Sequence, residues 1–229
     1  MNEMLQAIVY DAVGTLIHVE PSAAAIYAQV GQRFGSRLDV DEIRRRFHAA
    51  FVQQDQLDAL AGWRTDEARE LRRWRDIVTQ VLDDVVDPAG CFAALYETFS
   101  KPAAWASDPD AADVLAHFQQ HGIRQALASN FDRRLHAVLE PMPIARHLEH
   151  LVISSEIGWR KPASEFFVHI TETMQLPASE ILFVGDDRTN DFEPARRAGM
   201  RALLVDPRGQ HLDLGTERIG RLADLLRCM

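Results

Sequence analysis

Only two lysines occur in the 229 residues, Lys101 and Lys161, and only two cysteines, Cys91 and Cys228. So little lysine leaves no Lys/Arg block. Together with a formal charge of -9, this argues against a nucleic-acid-binding surface, which needs clustered cations. The cysteines lie far apart without CxxC spacing, so neither a disulfide framework nor a zinc site is suggested. No run of about 18 apolar residues occurs, and the opening "MNEMLQAIVYD" has no basic segment leading into a long apolar one. A cytoplasmic protein, with neither nucleic acid nor membrane as partner, is expected. There is also no internal repeat and no low-complexity segment.

What is present suits a globular chain large enough for one α/β domain plus a smaller insertion, at 47% hydrophobic and 26% charged residues. Five short apolar runs read as buried strands: "QAIVY" (6–10), "QALAS" (125–129), "HLVIS" (150–154), "ILFVG" (181–185) and "RALLV" (201–205). Helical patterns lie between the later runs. Asp108 followed by Pro109 reads as a helix start, and "ADVLAHFQQHG" ends on Gly122. Further helices are expected after Asn130, around "EFFVHITETM" and around "EPARRAG", the last closing on Gly199. This alternation predicts βαβ units and a Rossmann-like, doubly wound parallel sheet.

Between the first strand and the rest the texture changes. Ile26, Val30 and Phe34 fall at i, i+4, i+8, as do Ile43, Phe47 and Phe51, the spacing of amphipathic helices. Asp39 with Glu42 three residues on is a capping-box pattern. A third helix, Thr65 to Val85, carries Leu71, Trp74, Val78 and Val81 on one stripe, and "GCFAALYETF" supplies a short fourth. The division expected is an α/β core of residues 1–17 and 100–229 with an inserted α-helical cap at 18–99.

In an open α/β sheet, ligands bind beyond the carboxyl ends of the strands, near the switch point of the strand order. The residues found there are Asp11 with Gly14 and Thr15, then Ser129 and Asn130, then Lys161, then Asp186, Asp187 and Asp191. Singly, each reads as a turn, cap or loop residue. The ordered set points to one site.

That set resembles the haloacid dehalogenase superfamily of hydrolases over nearly the whole chain. "YDAVGTL" is similar to its first motif, "ALASNFD" to the second, "GWRKP" to the third and "VGDDRTNDFEPARRAGM" to the fourth, with the helical block where the family carries its type-one cap. The runs "SNFDRRL" and "SEIGWRKP" resemble one branch most closely. The resemblance implies a hydrolase in which Asp11 attacks phosphorus and forms an aspartyl-phosphate. Thr15 and Ser129 would donate to the phosphoryl oxygens, Lys161 would supply charge, and Gly14, Asn130 and Arg160 would contact substrate. It further implies Mg2+ held by Asp11, Asp186 and the Val13 carbonyl, with Asp187 and Asp191 in support, and a small phosphorylated metabolite as partner.

One residue departs from the pattern. The family's phosphatases place a second Asp two residues after the nucleophile, as general acid and base; this chain has Val13. General acid-base catalysis contributes roughly 10²- to 10⁴-fold, so leaving groups that need no proton, such as acyl or aryl phosphates, would suffer least. Two other readings remain. A 2-haloacid dehalogenase also follows its nucleophile with a non-acid, but the family's dehalogenases lack the acids of the fourth motif and carry a tyrosine near the position of Phe167. A weakened, non-enzymatic binding or scaffold protein would keep the fold with "YDAVGTLI" as a remnant. Carbon-phosphorus cleavage would require a cap lysine, and residues 20–97 contain none. His18 and Glu20 read as hinge residues, Trp159 as an entrance or seam residue, and Arg44 to Arg46, Arg72, Arg73 and Arg75 as a solvated face or an anion attractor.

Overall fold

The computed structural model describes residues 5–228; residues 1–4 and 229, expected to belong to the core, lie outside that range. The strands are β1 (Ala7–Tyr10), β2 (Ile17–Val19), β3 (Trp105–Ser107), β4 (Arg124–Ser129), β5 (His150–Ile153), β6 (Ile181–Gly185), β7 (Arg201–Val205) and β8 (Arg218–Ile219). Helices α1 (Ala23–Arg33), α2 (Val40–Leu60), α3 (Glu67–Val81) and α4 (Pro88–Phe99) form the insertion. In the core they are α5 (Ala111–Gln120), α6 (Arg134–Leu139), α7 (Ser154–Ile157), α8 (Ser164–Met174) and α9 (Glu193–Arg197).

All five apolar runs became strands of one parallel sheet, ordered β5, β4, β1, β6, β7, β8. Alternation along β1 sends Ile8 and Tyr10 to the face covered by α5 and α6, and Ala7 and Val9 to the face covered by α8 and α9. A large apolar side chain such as Ile8 or Val9 contributes about 1.5–3 kcal/mol on full burial, which is why continuous apolar runs mark strands covered on both faces. The chain winds from β1 outward to β4 and β5, then crosses to β6, β7 and β8. The carboxyl end of β1 therefore lies at the switch point, and Asp11 is the next residue.

Three local expectations are corrected. The helix expected from Asp108 starts at Ala111, because Asp108 donates its N–H to the Leu16 carbonyl (2.8 Å) and its carboxylate accepts from Asp110 N–H (2.9 Å). The third cap helix ends at Val81, short of Val85. Asp83 and Asp84 follow there, and negative charge is unfavourable beside helix carbonyls. Only half of the capping box forms: Asp39 accepts from Glu42 N–H (2.8 Å), while the Glu42 carboxylate turns to Arg45 and Arg46.

Three strands carried no periodic signal. β8 has two residues, Ile219 pairing with Val205. β2 and β3 pair antiparallel, joining the two connections between core and insertion into one ribbon. The helical cap packs around its own core, with Ile43, Ile77, Val81 and Cys91 fully buried. Cys91 and Cys228 are both free thiols. No helix among the described residues is long and apolar enough to cross a membrane.

Candidate active site

Beyond Tyr10 the backbone turns sharply. The Ala12 carbonyl accepts from the N–H groups of Leu16 (2.9 Å) and Ile17 (2.8 Å), and Gly14 sits at φ +99°, which a residue with a Cβ rarely adopts. A Cβ at Gly14 would also strike the Asp186 carboxylate, so glycine lets that acid approach the turn. Asp11 is anchored to the adjacent strand by its N–H, donated to the Val184 carbonyl at 2.8 Å.

Opposite lies Lys161, 2% exposed, whose ammonium donates to Asp11 Oδ1 (2.5 Å), Asp191 Oδ1 (2.7 Å) and the Ala128 carbonyl (3.1 Å). All three of its protons are thus used. Asn130 clamps the same residue: its Nδ2 donates to the Lys161 carbonyl (2.9 Å), and its Oδ1 accepts from Lys161 N–H (2.7 Å). Asp191 is aimed by one wide turn, Arg188–Phe192, in which Phe192 N–H donates to the Asp187 carbonyl five residues back (3.2 Å).

One carboxylate oxygen from each of Asp11, Asp186 and Asp191 falls within 4.8 Å of the other two. Burial pushes the Asp11 carboxyl up, with Lys161 pulling the other way. Burial, then the charges of Asp11 and Asp191, pushes Asp186 up to about 8. Asp191, buried, rises to about 7 despite Lys161. Burial disfavours the Lys161 charge, but Asp11 and Asp191 outweigh it and hold the ammonium above the usual lysine range. Asp186 is exposed, and the water beside it screens part of the repulsion.

Three acids against one ammonium leave an excess of negative charge in one small volume. The donor set fits a hard divalent ion: all ligands are oxygens, and opposite oxygens of an octahedral ion with about 2.1 Å bonds lie roughly 4.2 Å apart. Asp187 stands outside this set. Its side chain accepts from the N–H groups of Thr189 (2.7 Å) and Asn190 (3.0 Å) and from Asn190 Nδ2 (2.8 Å), so it caps the turn that carries Asp191.

Of the other expected residues, Thr15 Oγ1 is buried and without a hydrogen-bond partner among the described residues, and Ser129 ends β4, also buried. The three expected substrate contacts are otherwise engaged. The Gly14 N–H donates to the Ile17 carbonyl (2.9 Å), and both amide groups of Asn130 are spent on Lys161. Arg160, 3% exposed, turns away from the site to pair with Glu70 of the cap. Glu70 also accepts from Thr65 (2.7 Å), and Asp58 nearby is fully buried between Arg69 (2.6 Å) and Arg73. Arg73, expected on a solvated face, is therefore interior.

This seam is reinforced by Ser155 donating to Glu67 (2.5 Å) and by an antiparallel bridge between Arg64 and Trp159, the Arg64 guanidinium lying 4.1 Å above the indole. Trp159 is thus a seam residue. His18 pairs with Asp108 across the ribbon at 3.4 Å, and Phe167 is fully buried against Phe183, far from offering a tyrosine-like hydroxyl.

Sequence reasoning missed Glu70 and Asp58. Both were masked among the charged positions of amphipathic helices, where acids ordinarily face water. It also missed a cavity of about 450 Å³ between cap and core, whose lining includes Val13 and Asn130 from the core and Phe47, Phe51 and Trp74 from the cap. Those rings lay on stripes that read simply as core-facing.

The sequence pattern of the haloacid dehalogenase-like hydrolases matches residues 5–199. A haloacid dehalogenase-like hydrolase domain-containing protein 3 of Danio rerio is 29% identical over 237 aligned positions, spanning 99% of this chain and 96% of its own. Among solved structures, the HAD-hydrolase YfnB of Bacillus subtilis, bound to magnesium, is similar with a TM-score of 0.78 at 17% identity, covering 98% of each chain. An L-2-haloacid dehalogenase of Xanthobacter autotrophicus, with chloropropionic acid covalently bound, gives 0.76 at 19% identity, again over 98% of each. At these identities the structural likenesses bear on fold alone.

Proposed function

The chain belongs to the haloacid dehalogenase-like hydrolases, and from that premise we propose that it is a magnesium-dependent phosphohydrolase acting on a small phosphorylated metabolite through an aspartyl-phosphate at Asp11. The observation that carries this reading is the convergence of Asp11, Asp186 and Asp191 around a single buried ammonium, Lys161. A dehalogenase releasing halide from a carboxylic acid has no phosphate charge to offset and no use for the two extra acids.

Asp11, Asp186 and Asp191 would hold the ion, with the Val13 carbonyl beside them. When bound, Mg2+ would neutralise developing charge on the phosphoryl oxygens. In the first displacement an Asp11 carboxylate oxygen forms a bond to phosphorus as the bond to the leaving oxygen breaks. The departing oxyanion takes its proton from water, because Val13 offers none. In the second, water attacks the same phosphorus as the bond from the Asp11 carboxylate oxygen to phosphorus breaks; the water's proton passes to solvent, inorganic phosphate is released and the free carboxylate is regenerated. Lys161 holds Asp11 in line and, once the phosphoryl group arrives, would transfer its Asp11 hydrogen bond to a phosphoryl oxygen, while the free Thr15 hydroxyl donates to another. Asn130 positions the Lys161 backbone.

Phosphate release from a panel of phosphate esters, with and without Mg2+, tests the proposal, using Asp11→Asn as control. Magnesium-dependent release abolished in the variant supports it. Halide release from 2-chloropropionate, with no phosphate release from any ester, would move the assignment to dehalogenation. Neither product would favour a binding protein.

A further inference from the structure

Where the phosphatases of this family carry their second acid, Val13 is 38% exposed, and its side chain lines the cavity of about 450 Å³. Nine aromatic side chains line that cavity. Rings run in unbroken contact from cap to core. Trp74 meets Phe51 (6.4 Å between centroids), Phe51 meets Phe47 (5.9 Å), and Phe47 meets Tyr27 edge-on (5.3 Å). Tyr27 meets Phe99 (5.9 Å), Phe99 meets Trp105 (6.2 Å), and Trp105 meets Phe131 (5.6 Å), the residue after Asn130. Several of these rings are only half-buried, so their free faces and edges line open volume.

The basic side chains on the lining are Arg44, His48 and Arg134, with no carboxylate among the described lining residues. The two arginines on its lining are each matched by a carboxylate, Arg44 with Asp41 and Arg134 with Asp132. Arg134 moreover lies flat on Tyr96 at 3.8 Å. The cavity adjoins the site through Val13 and Asn130, so a phosphate held at Asp11 would leave its organic group facing this apolar lining. A volume of this size matches small-molecule sites, roughly 300–1,000 Å³, and mixed edge and face presentation by the walls suits a flat ring system more than a flexible chain.

We infer that the chamber receives the organic portion of the substrate and that this portion is aromatic, so that the substrates are aryl phosphate monoesters; the inference rests on the phosphohydrolase reading of the same site. Val13 then belongs to the apolar floor beneath the ring, and its lack of an acid matters least for a phenolic leaving group, which departs with little need of a proton.

Binding and turnover test it separately. By calorimetry and by quenching of the chamber tryptophans Trp74 and Trp105, 2-naphthol should bind wild-type protein with a Kd of about 1 mM or tighter. Its saturated counterpart, decahydro-2-naphthol, should bind about tenfold more weakly. Ala23→Phe, which projects a ring into the cavity from α1, should weaken naphthol binding at least about tenfold. Across esters of similar leaving-group acidity, 2-naphthyl phosphate should exceed phenyl phosphate in kcat/KM by about tenfold or more, with the difference in KM.

No naphthol binding, or equal binding of the saturated alcohol, would overturn the inference without any variant being needed. Phosphate release with no size preference and no naphthol binding would remove the chamber's role and leave the phosphohydrolase standing. Naphthol binding lost in Ala23→Phe, with no ester hydrolysed, would remove the phosphohydrolase and leave the aromatic site.

Discussion

Binding of Mg2+ should expel about one proton at pH 7. Asp186, raised to about 8, and Asp191, raised to about 7, together carry between one and one and a half protons at that pH, and a cation can take the site only as these leave. Screening by the water beside exposed Asp186 brings the expected number to about one. At pH 9 both carboxyls are already ionised, and release should approach zero. Calorimetry at each pH in two buffers of different ionisation enthalpy gives the count directly.

Stability must follow the same linkage. Both acids have folded values above their ordinary 3.8, the reverse of the usual paired Asp. Below about pH 4 the folded and unfolded chains are alike protonated. Between about pH 4 and 8 the unfolded chain has released its protons while the folded one retains them, so metal-free stability falls as pH rises through that window. At about 100 times its Kd, Mg2+ restores about 2.7 kcal/mol, or roughly 5–10 °C in Tm for a chain of this size. Asp186→Asn relieves the repulsion: in EDTA at pH 8 its Tm should equal or exceed that of the wild type, and its Mg2+ shift should vanish. Equal proton release at pH 7 and 9, or an unchanged Mg2+ response in Asp186→Asn, would refute the reasoning.

Lys161→Met leaves two buried carboxyls facing each other without their shared cation; turnover should fall about 10²- to 10³-fold, and Asp11 and Asp191 should hold protons to higher pH in a kcat profile. Arg160→Met strands Glu70 at the seam, at a cost of about 3–5 kcal/mol by urea unfolding, and scattering should show the cap opening away from the core. Glu70→Gln, which keeps the contact's shape, should open the cap less. Val13→Asp should raise alkyl phosphate turnover more than aryl, and should weaken 2-naphthol binding by placing a polar group in the chamber floor.

The sheet was legible because parallel strands covered on both faces must be apolar throughout, so "ILFVG" and "RALLV" became strands residue for residue. The ribbon of β2 and β3 was not, since three residues cannot display a period and its pairing joins positions nearly 90 apart in sequence. Helix ends moved where side chains chose partners the spacing does not reveal: Asp108 took the Leu16 carbonyl, and Glu42 took arginines in place of the Asp39 amide.

The acids and the lysine of the site were legible for a similar reason: strand ends at a switch point converge whatever the loops do, so order along the chain sufficed. Polar neighbours were not, because a side chain's function depends on who else claims its hydrogen bonds. Asn130 and Arg160 sit beside the chemistry in sequence, yet one is bound to the Lys161 backbone and the other to a cap acid 90 residues away. The same dependence governs Val13. In the sequence it marks a missing carboxylate and nothing more. Set beneath an aromatic chamber, it is the side chain the surroundings require, since an Asp there would face apolar walls and be driven toward its neutral form. The first motif and the cap stripes of Phe47, Phe51 and Trp74 thus describe one pocket, and a change at either should alter which leaving groups the other accepts.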